Sequence, residues 1–250
     1  MVFIHGGDPN AYTDGAKPIA TQQFHARLGQ RMIHVLDTQT TMGRLYETDM
    51  RLRPSGNSGL LVPSIAAFGR YQREDAWTWE HQALVRARVV AGSPALAEDF
   101  AAIRHEVLAR PRDVPVLQAE VREMRLKMRD HLLSGVKDGV FHLKQSAGGI
   151  VDIEFMVQFA VLAWAHQYPA LTRYSDNIRI LESLAEVGLL TTEESGGLIA
   201  AYKAYRAAAH RLALQQEESL VSASEFSVER AQVSALWQKL METAPGPPTT

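Results

Sequence analysis

Residues 148–165, GGIVDIEFMVQFAVLAWA, contain the most apolar stretch of the chain and decide the class of fold that the sequence predicts. A helix through residues 148–165 is apolar nearly all round, so it must be buried. The most apolar stretch within it, FMVQFAVLAWA (155–165), is too short to span a bilayer, which needs about 20 apolar residues, and Gln158 interrupts it. It therefore predicts the central helix of a helical domain, whose longest buried element includes residues 153–164.

Two carboxylates, Asp152 and Glu154, stand near the start of this predicted helix. Residues two apart on a helix point about 200° apart, so these two cannot chelate one ion. One interpretation is structural: Gly148 and Gly149 form the entry turn, and Asp152 stabilises the positive end of the helix. The other is functional, because both carboxylates cannot face solvent on a helix with no polar side. One of them is then expected to face a cleft.

The composition is that of a soluble globular protein, with 46% hydrophobic and 22% charged residues. A formal net charge of −2 gives no global basic field for nucleic acid or an anionic membrane. The chain has no cysteine, which excludes disulfides and thiolate chemistry. The first ten residues, MVFIHGGDPN, lack the basic segment and long apolar core of a signal peptide. We therefore expect a cytoplasmic protein with no nucleic-acid or membrane partner.

Strand and helix signals alternate over the first part of the chain. We predict a short strand at residues 2–5 and a second strand at 45–53 in the same sheet, with a helix at about 21–39 packed across it. Thr21 is a candidate cap of that helix. The apolar positions of that helix recur at helical spacing: Phe24, Leu28, Met32, Val35 and Leu36.

Helical periodicity dominates the rest of the chain. Three helical blocks are predicted at about 151–167, 176–188 and 193–216, with Ser175 or Asp176 as the cap of the middle one. The predicted fold is therefore α+β and mostly α. The predicted domains are an α/β unit at residues 1–92, a helical domain at 93–243 and a tail at 244–250 that is disordered by composition.

Residues 45–56, LYETDMRLRPSG, carry an unusual charge pattern for a strand. Alternate side chains of a strand point to opposite faces, so four charged residues would share one face: Glu47, Asp49, Arg51 and Arg53. One interpretation is an exposed edge strand, where charges discourage pairing with other chains. The other is a site for metal and phosphate, because carboxylates suit Mg²⁺ and arginine forks suit phosphate oxygens.

Three stretches closely resemble glutamine synthetase adenylyltransferases, a bifunctional family with two nucleotidyltransferase halves in tandem. They are LYETDMRLRPSGNSGLLVPSIAAFGRYQREDAWTWEHQALVRARVVAG (45–92), GGIVDIEFMVQF (148–159) and TRYSDNIRILESLAEVGLL (172–190). The forms RLRPSG and SALWQKLME look like the half that attaches AMP rather than the half that removes it. The resemblance implies a polymerase-β-like nucleotidyltransferase unit. A helical domain of the type shared with PII uridylyltransferases would follow it.

The resemblance also implies roles for individual residues. Asp49 matches the third metal-binding carboxylate of the superfamily, so it would be catalytic and would bind Mg²⁺. Arg51 and Arg53 would face the triphosphate of ATP. Supporting nucleotide-binding roles are implied for three further carboxylates: Glu47, Asp152 and Glu154.

In this family a Gly-Ser-x-x-Asp-x-Asp segment directly precedes the motif that this chain has as MVFIH at residues 1–5. The two aspartates of that segment supply the paired metal ligands, so the resemblance implies an N-terminally truncated fragment. One carboxylate cannot hold two Mg²⁺ ions against the attacking hydroxyl, the α-phosphate and the leaving pyrophosphate. We therefore expect the chain to be inactive on its own.

The implied function is transfer of AMP from ATP to a tyrosine of glutamine synthetase, which regulates nitrogen assimilation. The implied partners are glutamine synthetase and the PII signal protein, with ATP and glutamine as small-molecule ligands. Two alternatives stay open. One is a non-catalytic helical docking or regulatory fragment, since the paired carboxylates are missing. The other is a protein related to PII uridylyltransferase.

Overall fold

The structure, a computed structural model, describes residues 1–8, 10–44, 46–134 and 139–243. The predicted tail at 244–250 lies outside these residues. The described part is mostly helical and contains two small sheets. The predicted class, α+β and mostly α, is confirmed. No helix of the described residues is long and apolar enough to cross a membrane.

The helices and strands have the following bounds. The helices are α1 (Thr21–Asp37), α2 (Ile65–Glu74), α3 (Thr78–Val85), α4 (Pro94–Leu108), α5 (Val114–Leu132), α6 (Ile150–Trp164), α7 (Asn177–Glu186), α8 (Thr192–Leu214) and α9 (Ser227–Trp237). The strands are β1 (Gln39–Thr40), β2 (Gly43–Arg44), β3 (Val140–His142) and β4 (Leu220–Ser222). Both sheets are antiparallel pairs, β1 with β2 and β3 with β4.

The chain divides into two compact units. The first unit comprises Met1–His81 and Val89–Val107, and the second comprises Gln82–Arg88 and Leu108–Thr250. The expected boundary between an α/β unit and a helical domain near residue 92 stays a prediction.

The predicted strand at residues 2–5 is reduced to one bridge in the first unit. The His5 N–H donates to the Pro63 carbonyl at 3.1 Å, and the Ile65 N–H donates to the His5 carbonyl at 2.9 Å. These bonds make an isolated parallel bridge between His5 and Ser64. The predicted pairing of this segment with residues 45–53 was therefore wrong.

The predicted strand at 45–53 is also wrong for its described part, residues 46–53, which contains no strand; Leu45 lies outside the described residues. A carboxylate oxygen of Asp49 accepts the backbone N–H of Arg51 at 2.8 Å, and the Arg53 N–H donates to the Met50 carbonyl at 3.3 Å. Local bonds of this kind compete with a strand ladder. The shared strand face predicted for the four charged residues consequently does not form.

Helix α1 begins and ends close to the predicted bounds, but its apolar stripe is not buried. The N-cap is Ala20, without a side-chain bond, so Thr21 is the first helical residue rather than the cap. Four of the five apolar residues of the stripe are 43–70% exposed, namely Phe24, Leu28, Met32 and Val35, and Leu36 is partly exposed. The prediction that this stripe packs on a sheet was wrong, because that sheet is not formed by the described residues.

Helix α6 is the core of the second unit, as its sequence predicts. Eleven of its residues are buried, and it packs against α5, α7, α8 and α9. The helices predicted at 176–188 and 193–216 are confirmed as α7 and α8. The carboxylate of Asp176 accepts the Arg179 N–H at 3.0 Å, which confirms it as the cap of α7.

The turn before α6 satisfies the first backbone donors of that helix, which have no partner within the helix itself. The Ile150 and Val151 N–H groups donate to the carbonyls of Leu143 and Lys144 at 2.9 and 3.1 Å. Gly148 adopts φ +78°, a left-handed conformation that favours glycine. A Cβ atom on Gly149 would meet the Leu143 carbonyl oxygen at 2.8 Å. The predicted glycine entry turn is confirmed.

A buried ion pair joins α5 to the start of α6. Arg125 Nε lies 2.6 Å from Asp152 Oδ1, and the two side chains are 1% and 5% exposed. The other carboxylate oxygen of Asp152 accepts the Gly148 N–H at 2.7 Å, and Arg125 Nη2 donates to the Gln145 carbonyl at 2.8 Å. Since buried charges cost free energy unless they are paired and hydrogen-bonded, this pair constrains the packing of both helices.

We expect Arg125→Met to lower the free energy of unfolding by about 3–5 kcal/mol, because it leaves the Asp152 carboxylate buried without its cation. The measurement is urea denaturation followed by circular dichroism. The matched control is Lys127→Met on the same helix, whose exposed pair with Glu123 contributes at most about 0.5 kcal/mol. Adding Asp152→Leu to Arg125→Met should recover part of the loss. Equal losses for Arg125→Met and the control would contradict the assignment.

Candidate functional site

Asp49 and Arg51 form an exposed, multiply bonded ion pair in the first unit. Arg51 Nη2 lies 2.6 Å from Asp49 Oδ2, and Nε lies 3.1 and 3.0 Å from the two carboxylate oxygens. The side chains are 76% exposed for Arg51 and 52% for Asp49. Exposed pairs of this kind contribute little to stability. The pair therefore fixes the local geometry while leaving both groups open to solvent.

This pairing also sets the charge of Asp49. The hydrogen bonds from the Arg51 side chain, followed by that from the Arg51 backbone N–H, lower the pKa of the Asp49 carboxyl to about 2. Hydrogen bonds to the charged form favour that form. Asp49 is consequently an oxygen donor that stays ionised at any physiological pH.

Arg53 and Glu47 are not brought into the same arrangement. Arg53 Nη1 donates to the Met50 carbonyl at 3.0 Å, and Nη2 donates to the Asn57 carbonyl at 3.3 Å. Those bonds hold the turn that contains Ser55, whose φ is +58°. Glu47 is exposed. Of the four predicted charged residues, only Asp49 and Arg51 contact each other through their side chains.

The donor set of the described residues does not fit a magnesium ion by itself. A search of the described residues for three or more acidic, histidine or cysteine side chains that could hold one metal ion finds no such group. Asp49 offers one carboxylate, and Mg²⁺ is usually held by more than one protein or substrate oxygen. Asp49 can thus supply one ligand but does not make a metal site alone.

Asp152, the first of the two carboxylates on α6, is only 4% exposed. Each of its oxygens accepts a hydrogen bond from the protein, one from Arg125 and one from Gly148. These contacts favour the structural interpretation, in which Asp152 stabilises the start of the helix. A nucleotide-binding role for Asp152 stays a prediction.

Glu154 lies in a half-buried polar group of the second unit, which we call the Glu154 cluster: Arg86, Glu154, Asn177 and Tyr202. Glu154 Oε1 is 3.0 Å from Arg86 Nη1 and accepts longer bonds, both 3.4 Å, from Asn177 Nδ2 and the Tyr202 hydroxyl. Arg86 Nη1 also donates to Asn177 Oδ1 at 3.2 Å. Helices α6, α7 and α8 and the residue directly after α3 therefore hold the Glu154 carboxylate and the Arg86 guanidinium in a fixed geometry.

The sequence predicts one member of this cluster as a site residue, Glu154 of the α6 motif. Arg86 and Asn177 lie within stretches that carry the family resemblance, and Tyr202 lies outside them. None of these three has a local pattern that marks it as a site residue. The hydrogen-bonded residues are 23 to 91 positions apart along the chain. No spacing rule for a single helix or strand links residues at such separations.

Comparison with known proteins places this geometry in a family. A family model described as glutamate-ammonia ligase adenylyltransferase matches residues 1–103, and one described as GlnD PII-uridylyltransferase matches residues 121–233. A bifunctional glutamine synthetase adenylyltransferase/adenylyl-removing enzyme from Pseudomonas aeruginosa is 57% identical over 96% of the chain. The chain belongs to the glutamine synthetase adenylyltransferase family.

Further members of this family show the same extent of similarity. The enzyme of the same name from Pseudomonas syringae pv. tomato is 55% identical over 96% of this chain, and that from Nitrosococcus oceani is 54% identical over 97%. The chain spans about a quarter of the length of these adenylyltransferases, 26% and 25%. The family of the chain is therefore established, whereas the activity of the full-length relatives is a proposal for this chain.

We expect the Asp49 carboxyl to titrate near pH 2, and Arg51→Gln to raise its pKa toward the ordinary value of 3.8. Because the folded-state pKa is lowered, the stabilisation from this pair is present above pH 3.8 and is lost as the pH falls through about 2. The measurement is a carbon-13 NMR titration of the Asp49 carboxyl. Arg53→Gln is the control and should leave the Asp49 pKa unchanged, since Arg53 bonds only to carbonyl groups.

Proposed function

We propose that this chain takes part in transfer of AMP from ATP to a tyrosine of glutamine synthetase, with release of pyrophosphate. The observation that carries the proposal is the 57% identity, over 96% of the chain, to a relative named both as a glutamine synthetase adenylyltransferase and as an adenylyl-removing enzyme. The match of residues 1–103 to the adenylyltransferase family model supports it, because that stretch contains Asp49 and both candidate phosphate-binding arginines.

Asp49 is proposed as a catalytic carboxylate and as one oxygen ligand of Mg²⁺. Its low pKa supports this role, because a carboxylate must be ionised to bind a hard cation. The other ligands would have to come from residues or substrate oxygens beyond those described. Mg²⁺ would supply charge stabilisation at the phosphates when bound.

Arg51 is proposed to contact the phosphates of ATP. Its side chain is 76% exposed, so an incoming phosphate oxygen can reach it without desolvating a buried group. A guanidinium fork suits phosphate as well as it suits the carboxylate that it now contacts. Arg53 and Glu47 are proposed to support this segment, Arg53 through its bonds to two carbonyl groups.

The second unit is proposed to serve regulation as well as catalysis. Residues 121–233 match a PII-uridylyltransferase model, which supports a link to the PII signal protein, with glutamine as a further ligand. Glu154 is proposed as a nucleotide-binding residue that acts together with Arg86. We also propose that the protein is cytoplasmic.

A second candidate is a non-catalytic docking or regulatory fragment. The observation that favours it is that the described residues contain no group of three or more acidic, histidine or cysteine side chains that could hold a metal ion, which leaves Asp49 as the one proposed ligand. A uridylyltransferase activity is less well supported, because the relatives at 49–57% identity are all named as glutamine synthetase adenylyltransferases.

The test is incorporation of labelled AMP from ATP into purified glutamine synthetase. We expect no labelling by the 250-residue chain, because one carboxylate leaves the charge that develops on the phosphates largely uncompensated. We expect labelling by a chimera in which the part of the Pseudomonas aeruginosa relative that precedes the match is joined to residue 1. Asp49→Asn in the chimera should lower the rate by roughly 100-fold or more.

The matched control is Asp99→Asn, which removes an equal charge from an exposed position of α4 and should leave the rate unchanged. Strong labelling by the 250-residue chain would disprove the single-carboxylate argument. A chimera that labels equally well with Asp49→Asn would remove Asp49 from the mechanism. Failure of the chimera itself, with the intact relative active, would favour the docking fragment.

A further inference from the structure

Three arginines of the second unit lie around one short loop, residues 173–177, which leads into α7. We call Arg86, Arg173 and Arg179 the loop arginines. Arg86 Nε donates to the Ser175 carbonyl at 3.1 Å. The guanidinium carbons of Arg173 and Arg179 lie 5.1 and 5.3 Å from the centre of the Tyr174 ring. Three carboxylates lie near the same loop: Glu154 beside Arg86, Asp176 in the loop, and Glu182 near Arg179.

The loop arginines are held in position before any ligand arrives. Arg86 is fixed by Glu154, Asn177 and the Ser175 carbonyl. Arg173 and Arg179 are held against Tyr174 by attraction between a cation and an aromatic ring. A guanidinium that stacks on a ring still presents N–H donors at its edge. Little side-chain freedom is therefore lost when those donors bind an anion.

The positive charge of this group is only partly neutralised within the described residues. Arg86 pairs with Glu154 through Nη1, and its Nη2 makes no hydrogen bond there. Arg179 Nε is 3.9 Å from a carboxylate oxygen of Glu182, beyond hydrogen-bonding distance, and both side chains are more than half exposed. Arg173 is exposed and has no carboxylate partner in the described part of the chain. Asp176 is engaged as the cap of α7.

We propose that the loop arginines form a binding site for the phosphate chain of a nucleotide, and that this site works without a metal ion. Several guanidinium groups around one loop suit a ligand with several adjacent anionic oxygens better than a single carboxylate. Arginine forks make paired bonds to phosphate, whereas a lysine would act as a point charge. This inference rests on the proposed function for Arg86, which is proposed there to act in nucleotide binding with Glu154. It extends nucleotide binding to Arg173 and Arg179 and requires neither Mg²⁺ nor Asp49.

The test is isothermal titration calorimetry of the 250-residue chain with inorganic tripolyphosphate and, separately, with ATP, both in EDTA. We expect saturable binding of both ligands at low salt, which weakens as salt rises because the arginines are exposed. Arg173→Gln combined with Arg179→Gln should weaken binding about tenfold or more, since each removes charge-assisted hydrogen bonds. Arg173→Lys combined with Arg179→Lys keeps the charge but loses the forks, and should give an intermediate affinity.

Two controls separate this site from other causes. Arg70→Gln removes one positive charge from an exposed position of α2 and should leave the affinity unchanged. Asp99→Asn, an exposed position of α4 outside the proposed catalytic residues, should also leave it unchanged. The binding assay contains neither glutamine synthetase nor Mg²⁺, so failure of the proposed reaction and failure of this site are distinguishable. Circular dichroism spectra check that each variant is folded.

Three outcomes would overturn the proposal. They are absence of saturable tripolyphosphate binding by the unaltered chain, equal affinities for the glutamine variant and the unaltered chain, and an equal loss in Arg70→Gln. Binding of ATP without binding of tripolyphosphate would also overturn it, because the nucleoside would then be the recognised part.

Discussion

The second unit depends on one buried interaction, the ion pair between Arg125 and Asp152. Two opposite charges at 1% and 5% exposure are removed from bulk solvent, so they depend on each other and on neighbouring protein groups. Gly148 supplies an N–H and Gln145 supplies a carbonyl. The entry turn, the direction of α6 and the register of α5 are consequently linked. An apolar helix such as α6 could bury itself in several orientations, and the ion pair selects one.

The first unit contains the same kind of contact in the opposite environment. Asp49 and Arg51 also pair at 2.6 Å, but both side chains are more than half exposed. Solvent screens this attraction, so it adds little stability and can be exchanged for another partner. The two ion pairs have the same distance but different roles. The buried pair fixes a fold, and the exposed pair holds a carboxylate ionised beside a cation that a ligand can reach.

The helices of the second unit could be predicted from sequence because local rules determine them. The apolar run of α6 and the Asp176 cap of α7 are read from neighbouring residues, and both are confirmed. The strand predicted at 45–53 is wrong. The alternation of side chains predicted it, but alternation does not show that the Asp49 carboxylate accepts the N–H two residues later, a bond that competes with a strand. The prediction that the apolar stripe of α1 is buried was wrong. Periodicity identifies an apolar face, such as that of Leu28, but does not show whether another part of the chain covers it.

The Glu154 cluster shows what a residue-by-residue reading cannot supply. Arg86, Asn177 and Tyr202 are unremarkable in their own segments, and they become related only when α6 brings Glu154 between them. The placement of Arg86 then depends on α6, whose own placement depends on Asp152 one half-turn away. Because the two carboxylates point to different sides of the helix, one can be buried with Arg125 while the other faces a polar group. The two-residue spacing of Asp152 and Glu154 prevents them from sharing one metal ion. The same spacing allows α6 to contribute Asp152 to the core and Glu154 to a candidate site.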